Sequence, residues 1–134
     1  MRHARKKASG FTLLEIIIVV IILAVLVGMA IPRFMDAASK SKAQEAFSML
    51  PNLRAAMDRC YVRYNAYNNA NCSNLSLLDT GDPNAGGARI FNYTSGTTTT
   101  TFNITAALRN GNPADTITIN ETGNIIKGGM FSGM

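Results

Sequence analysis

The segment from Phe11 to Ile31 constrains this chain more than any other part of it. It holds 21 residues whose only charge is Glu15, and from Ile16 to Ile31 there is no polar side chain at all. At about 1.5 Å rise per residue a helix of that length reaches roughly 31 Å, close to the ~30 Å hydrocarbon core of a bilayer. A chain of 134 residues is too small to cover such a rod on every side. The run therefore predicts a membrane-spanning helix. Glu15 is the anomaly: a carboxylate inside a membrane segment costs on the order of 2.5–3.5 kcal/mol on insertion scales and is usually paired or functional.

Charge is unevenly placed. The formal net charge is +5, but four of the thirteen basic side chains are Arg2, Arg5, Lys6 and Lys7. Without residues 1–10 the balance is nine basic against eight acidic side chains, or +1, which gives no electrostatic case for direct nucleic-acid binding. Positive charge ahead of a span holds that end in the cytoplasm and sends the rest of the chain across. A secretory signal places its small-residue cleavage site after the apolar stretch. Here Ser9 and Gly10 come before it, so a cut at Gly10 leaves the helix on the mature protein.

The stretch "KASGFTLLEIIIVVIILAVLVGMAIPRF" closely resembles the N-terminus of bacterial type IV pilins and type II secretion pseudopilins. The features that carry the resemblance are the basic leader ending in Gly10, the run Phe11 to Glu15, the apolar helix and Pro32 near its end. It implies that a prepilin peptidase cuts between Gly10 and Phe11 and that Phe11 is then N-methylated. It also implies assembly by an inner-membrane platform and its motor into a helical filament with the apolar helices at its core. Cleavage creates a cationic amine on Phe11, with a reference pKa of about 8. Phe11 and Glu15 are four apart, on one face of a helix, so Glu15 has its own amine or a neighbour's as partner. The resemblance implies the neighbour's. A carboxylate that snorkels to water at the cytoplasmic interface is the bland alternative.

Apolar periodicity continues past the span, with Phe34, Ala38, Ala46, Leu50, Leu53, Met57, Cys60 or Tyr61, and Tyr64 recurring at helical steps. This predicts one helix from about Phe11 to about Ala66. Pro32 and Pro51 each lack an N–H and crowd the carbonyl four residues back. Bending is the expectation for Pro51. At Gly28 and Pro32 the resemblance implies loss of helix when subunits enter a filament. After Asn65, "ARIFNYT" (88–94), "TTTTTFNIT" (97–105), "DTITINE" (115–121) and "NIIKG" (124–128) read as short strands, with Gly123 supplying positive φ in the last hairpin. Phe91, Tyr93, Phe102, Ile104, Ile117 and Ile119 are the expected inner face. The fold class is α+β, a long N-terminal helix whose outer half packs on a small antiparallel β-sheet. The expected organisation is leader 1–10, membrane or filament-core helix 11–33, outer helix 34–66 and a loop-rich β domain 67–134.

Cys60 and Cys72 are the only cysteines, and the topology places both outside the cytoplasm, where disulfides form. A bridge across a loop of that size stabilises by roughly 3 kcal/mol. His3 is the only histidine and lies in the leader, so neither a metal nor another cofactor is expected. Asp79, Asp82 and Asp115 match no calcium-binding spacing and read as solvated loop charge. Tyr61, Tyr64 and Tyr67 raise the thought of electron conduction, but Tyr61 and Tyr64 fit the helix stripe as packing residues. No nucleophile–base pair or phosphate loop is visible, and the chain is read as a structural protein, not an enzyme. The first functional reading is a type IV pilus subunit for adhesion, motility or DNA uptake, inserted in the inner membrane and then extruded as filament. A periplasmic pseudopilin of type II secretion is the second, and a monomeric membrane-anchored binding protein the third.

Overall fold

The structure is a computed structural model that describes residues 10–134. Residues 1–9, with His3 and the basic cluster of the leader, lie outside the described residues. Helix α1 runs from Leu13 to Tyr64 over 52 residues. The chain divides into two units between Asp36 and Ala37, and each is described by itself.

In the first unit α1 carries the apolar run with every described side chain exposed. It is long and apolar enough to cross a membrane, and none of it is buried within the protein. Gly28 and Pro32 lie within α1, which is not interrupted at either.

In the second unit α1 buries Ala43, Ala46, Leu50, Leu53, Ala56 and Met57, an alternation of three- and four-residue steps that defines one helix face. Four strands lie against this face: β1 (Phe91–Thr97), β2 (Phe102–Leu108), β3 (Thr116–Asn120) and β4 (Ile125–Lys127). They form one sheet in the order β1-β2-β3-β4, with every pair antiparallel. The alternate residues Phe91, Tyr93, Phe102, Ile104, Ala106, Ile117 and Ile119 are buried with Phe131. Fully burying a Leu or Phe side chain contributes roughly 1.5–3 kcal/mol, so this α–β contact is the main source of the unit's stability. Gly123, at φ 85°, turns the chain between β3 and β4, and the Arg54 guanidinium donates two hydrogen bonds to the Glu121 carbonyl at 3.0 and 2.9 Å. The fold is α+β, as the periodicities indicate.

Boundaries differ from the sequence expectation for identifiable reasons. Helix α1 stops at Tyr64, two residues early, because Asn65 takes a left-handed φ of 54° and its N–H still reaches the Tyr61 carbonyl at 2.7 Å, a helix-ending use of Asn. Of the threonine run, only Thr97 is in a strand. Thr98 N–H donates to the Thr101 carbonyl at 2.8 Å, and the Thr98 hydroxyl accepts the Thr101 N–H at 3.0 Å, closing the β1–β2 turn. Strand β2 instead continues through Ala106, which is small enough to sit fully buried between Tyr93 and Ile117. Phe34 and Tyr64, expected on the packing stripe, are 74 % and 40 % exposed. Phe34 belongs to the first unit, and Tyr64 is the last residue of the helix.

Candidate assembly site

The chain reaches α1 through Gly10, Phe11 and Thr12, which lie outside regular structure. The Thr12 hydroxyl accepts the Glu15 N–H at 3.2 Å, and the Thr12 carbonyl accepts the Ile16 N–H at 3.3 Å. Thr12 is therefore the helix N-cap and Glu15 the third helical residue, the spacing of a capping box. The motif Thr-x-x-Glu ahead of an apolar run is the sequence signature of such a helix start.

This geometry corrects one expectation. Phe11 precedes the cap, so it and Glu15 are not neighbours on a helix face. Glu15 in the first turn gains about 0.3–1 kcal/mol from the helix dipole, well short of the roughly 2.5–3.5 kcal/mol that membrane burial costs. Its carboxylate has no hydrogen-bond or ion-pair partner among the described residues. The Gly10–Phe11 peptide is exposed and non-helical. Beyond it Ile16 to Ile31 form an apolar surface, with Ile17 46 % and Met29 70 % exposed. So extended an apolar patch marks a membrane or protein interface.

In the second unit Cys60 and Cys72 are joined, with Cα atoms 5.7 Å apart. The bridge ties the last turns of α1 to helix α2 (Ala70–Ser73). Between them Tyr67 is buried, its ring 4.5 Å from that of Tyr61 and 4.7 Å from that of Phe102, and its N–H donates to the Thr99 carbonyl. Its hydroxyl donates to Asp58 at 3.0 Å; burial first, then this carboxylate, pushes the phenol pKa up to about 12.

The three aspartates have separate surroundings. Asp79 pairs with Arg59 through two contacts of 2.6 and 2.7 Å, both side chains exposed, and the guanidinium's hydrogen bonds hold the Asp79 carboxyl below its ordinary range. Asp82 accepts the Asn84 N–H at 2.8 Å within its own turn. Asp115, expected to be solvated, is instead buried, at 6 % exposure. It accepts the Met130 N–H at 2.9 Å and the Asn112 N–H at 3.3 Å, tying the β2–β3 loop to the segment after β4.

Residues 5–31 match the family described as "Prokaryotic N-terminal methylation motif". The chain is also similar to proteins called "Type II secretion system core protein G" from three bacteria. It is 35 % identical to that of Aeromonas hydrophila over 63 residues, covering 47 % of this chain and 44 % of the relative. It is 40 % identical to that of Pectobacterium carotovorum subsp. carotovorum over 61 residues, covering 46 % and 39 %. It is 34 % identical to that of Escherichia coli (strain K12) over 77 residues, covering 58 % and 53 %. The chain thus spans about half the length, or less, of the curated relatives it matches. No solved structure matches it.

Proposed function

From the premise that this chain carries the prepilin-type N-terminus shared by type IV pilins and type II secretion pseudopilins, we propose that it is a structural subunit of a helical filament. The observation that carries this reading is the start of α1: a carboxylate without a partner, at the head of an apolar surface left exposed, among the described residues. In the precursor the apolar run lies in the inner membrane. A prepilin peptidase cuts between Gly10 and Phe11 and methylates the new amine, which stays cationic. With Phe11 ahead of the cap, the amine of a neighbouring copy is the better partner for Glu15. In an apolar surrounding that pair neutralises two charges at once and fixes the axial offset between copies, since any other offset leaves two charges buried alone. Packing the apolar surfaces of many copies together then replaces their contact with lipid. An inner-membrane platform and its motor supply the work of extraction. Gly28 and Pro32 are where the helix yields, because Pro32 removes one backbone hydrogen bond and Gly28 is a weak helix former.

The first form of the reading is a type IV pilus subunit, extruded as a surface fibre for adhesion, motility or DNA uptake, with the Cys60–Cys72 staple suited to the oxidising exterior. The second is a pseudopilin of a short periplasmic filament, favoured by the names of the three relatives. Electron microscopy of producing cells separates them: long surface fibres for the first, short envelope-bound fibres on overexpression for the second. A Glu15→Val variant is expected to be cleaved and inserted but to form no filament. Normal filaments from that variant would refute the pairing.

A further inference from the structure

We propose that the exported unit carries an anion site for the headgroup of an acidic phospholipid, formed by Lys42, Arg89 and Arg109. The inference rests on the membrane-anchored stage of the reading above. Three elements bring these cations together: Lys42 from α1, Arg89 from the approach to β1, and Arg109 from just past β2. The Arg109 N–H donates to the Ile90 carbonyl at 2.9 Å, extending the β1–β2 ladder by one step. The Ile90 N–H in turn donates to Glu45 at 3.0 Å, which pins this end of the hairpin to α1 one turn beyond Lys42. The three cations, with Ile90, Leu108 and Asn110, line a cleft of about 250 Å³.

No carboxylate lines that cleft. The nearby Glu45 accepts hydrogen bonds at both oxygens, from the Ile90 N–H and from the Tyr93 hydroxyl at 3.3 Å. Lys42 and Arg109 are exposed, and none of the three cations forms an ion pair among the described residues. Of the other basic side chains of this unit, Arg54 and Lys127 bond backbone oxygens and Arg59 pairs with Asp79, while Lys40 and Arg63 do not line the cleft. Three cations without an ion-pair partner, beside Leu108 and Ile90, suit a phosphate carried on an apolar body.

Chain connectivity favours a lipid over a free anion. Lys42 follows Ile31, the last residue of the apolar run, by eleven positions. At most ~3.6 Å per residue keeps Lys42 within about 40 Å of the span, so the site is tethered near the bilayer surface. Cations on the exported flank also oppose the orientation that the basic leader imposes, so membrane topology does not account for Lys42. A headgroup contact would hold the unit against the bilayer before a subunit joins a filament.

The test places the full chain in nanodiscs of phosphatidylcholine with rising fractions of phosphatidylglycerol and follows the amide NMR signals of Ile90, Arg109 and Asn110. A saturable shift is expected with phosphatidylglycerol. Each cation near an anionic surface strengthens attachment about fivefold, so Lys42→Gln or Arg109→Gln alone raises the midpoint about fivefold, and the triple variant with Arg89→Gln abolishes saturation. Arg63→Gln leaves the midpoint unchanged, and dispersion of the remaining signals reports the fold of each variant. Shifts that occur equally in pure phosphatidylcholine, or that persist in the triple variant, overturn the proposal. So do shifts produced as well by inorganic phosphate over phosphatidylcholine, which make the cleft a free-phosphate site, or shifts produced more tightly by a DNA duplex. Recovery of the chain with the nanodisc reads the anchored stage separately: a chain that embeds but shows no shift fails this inference alone.

Discussion

Replacing both Cys60 and Cys72 by Ala is expected to lower the melting temperature of the exported unit by about 15 °C without changing its fold. The bridge closes a loop with a sequence separation of 12, for which chain-entropy reasoning gives roughly 3 kcal/mol. The unit spans Ala37 to Met134, and at about 2.1 cal/mol/K per residue its unfolding entropy is roughly 0.2 kcal/mol/K. Alanine is the informative replacement, since Cys72 is fully buried and a serine hydroxyl there would add a desolvation cost of its own. The loop also retains other ties, the Tyr67 ring contacts with Tyr61 and Phe102 and the Tyr67 N–H on the Thr99 carbonyl, so the variant still folds. The assay is a circular-dichroism melt of the full chain in micelles, with thiol counting by mass spectrometry on the parent protein. A shift under about 4 °C, or two free thiols in the exported parent, would refute the reasoning.

Asp115→Ala leaves the N–H groups of Met130 and Asn112 without their buried acceptor and is expected to cost about 1–3 kcal/mol in the same melt. Gly129→Ala is expected to be similarly harmful, because φ is 57° and a Cβ there collides with Asp115 and Ala114. Thr12→Ala removes the cap of α1 and costs about 0.5–2 kcal/mol, seen as faster amide exchange at residues 14–16 in micelles with residues 50–57 unaffected. Tyr67, with its pKa raised from an ordinary 10 to about 12, keeps its proton in the folded state after the unfolded chain has lost it. Its contribution is thus fully present below pH 10 and is lost as pH rises from about 10 to about 12. Ultraviolet titration of Tyr67→Phe against the parent should remove one late-titrating phenol.

What the sequence made readable was whatever rests on local periodicity. Leu50, Leu53 and Met57 announce a buried helix face, and "TITIN" announces a half-buried strand, since each pattern is complete within a few residues. The apolar run of α1 is legible for the same reason. Asp115 was not, because the amide that justifies its burial belongs to Met130, brought close only when the chain folds back after β4. Its surroundings are tertiary, while its sequence neighbours, Pro113 and Ala114, look like loop. The cleft of Lys42, Arg89 and Arg109 is non-local in the same way. The threonine run is ambiguous by composition: β-branched residues favour strands, their hydroxyls also close turns, and at Thr98 and Thr101 the turn prevails. Thr12 is the opposite case, a local signal whose cap on the Glu15 N–H is complete within four residues.

The central claim is that "SGFTLLE" is an assembly device completed by cleavage, and isolated filaments test it most directly. N-terminal sequencing and mass spectrometry of sheared or overexpressed fibres are predicted to return N-methylated Phe11 as the first residue, with this chain as a principal component. Fibres that lack the chain, or that contain it still beginning at Met1 or unmethylated at Phe11, would contradict the account.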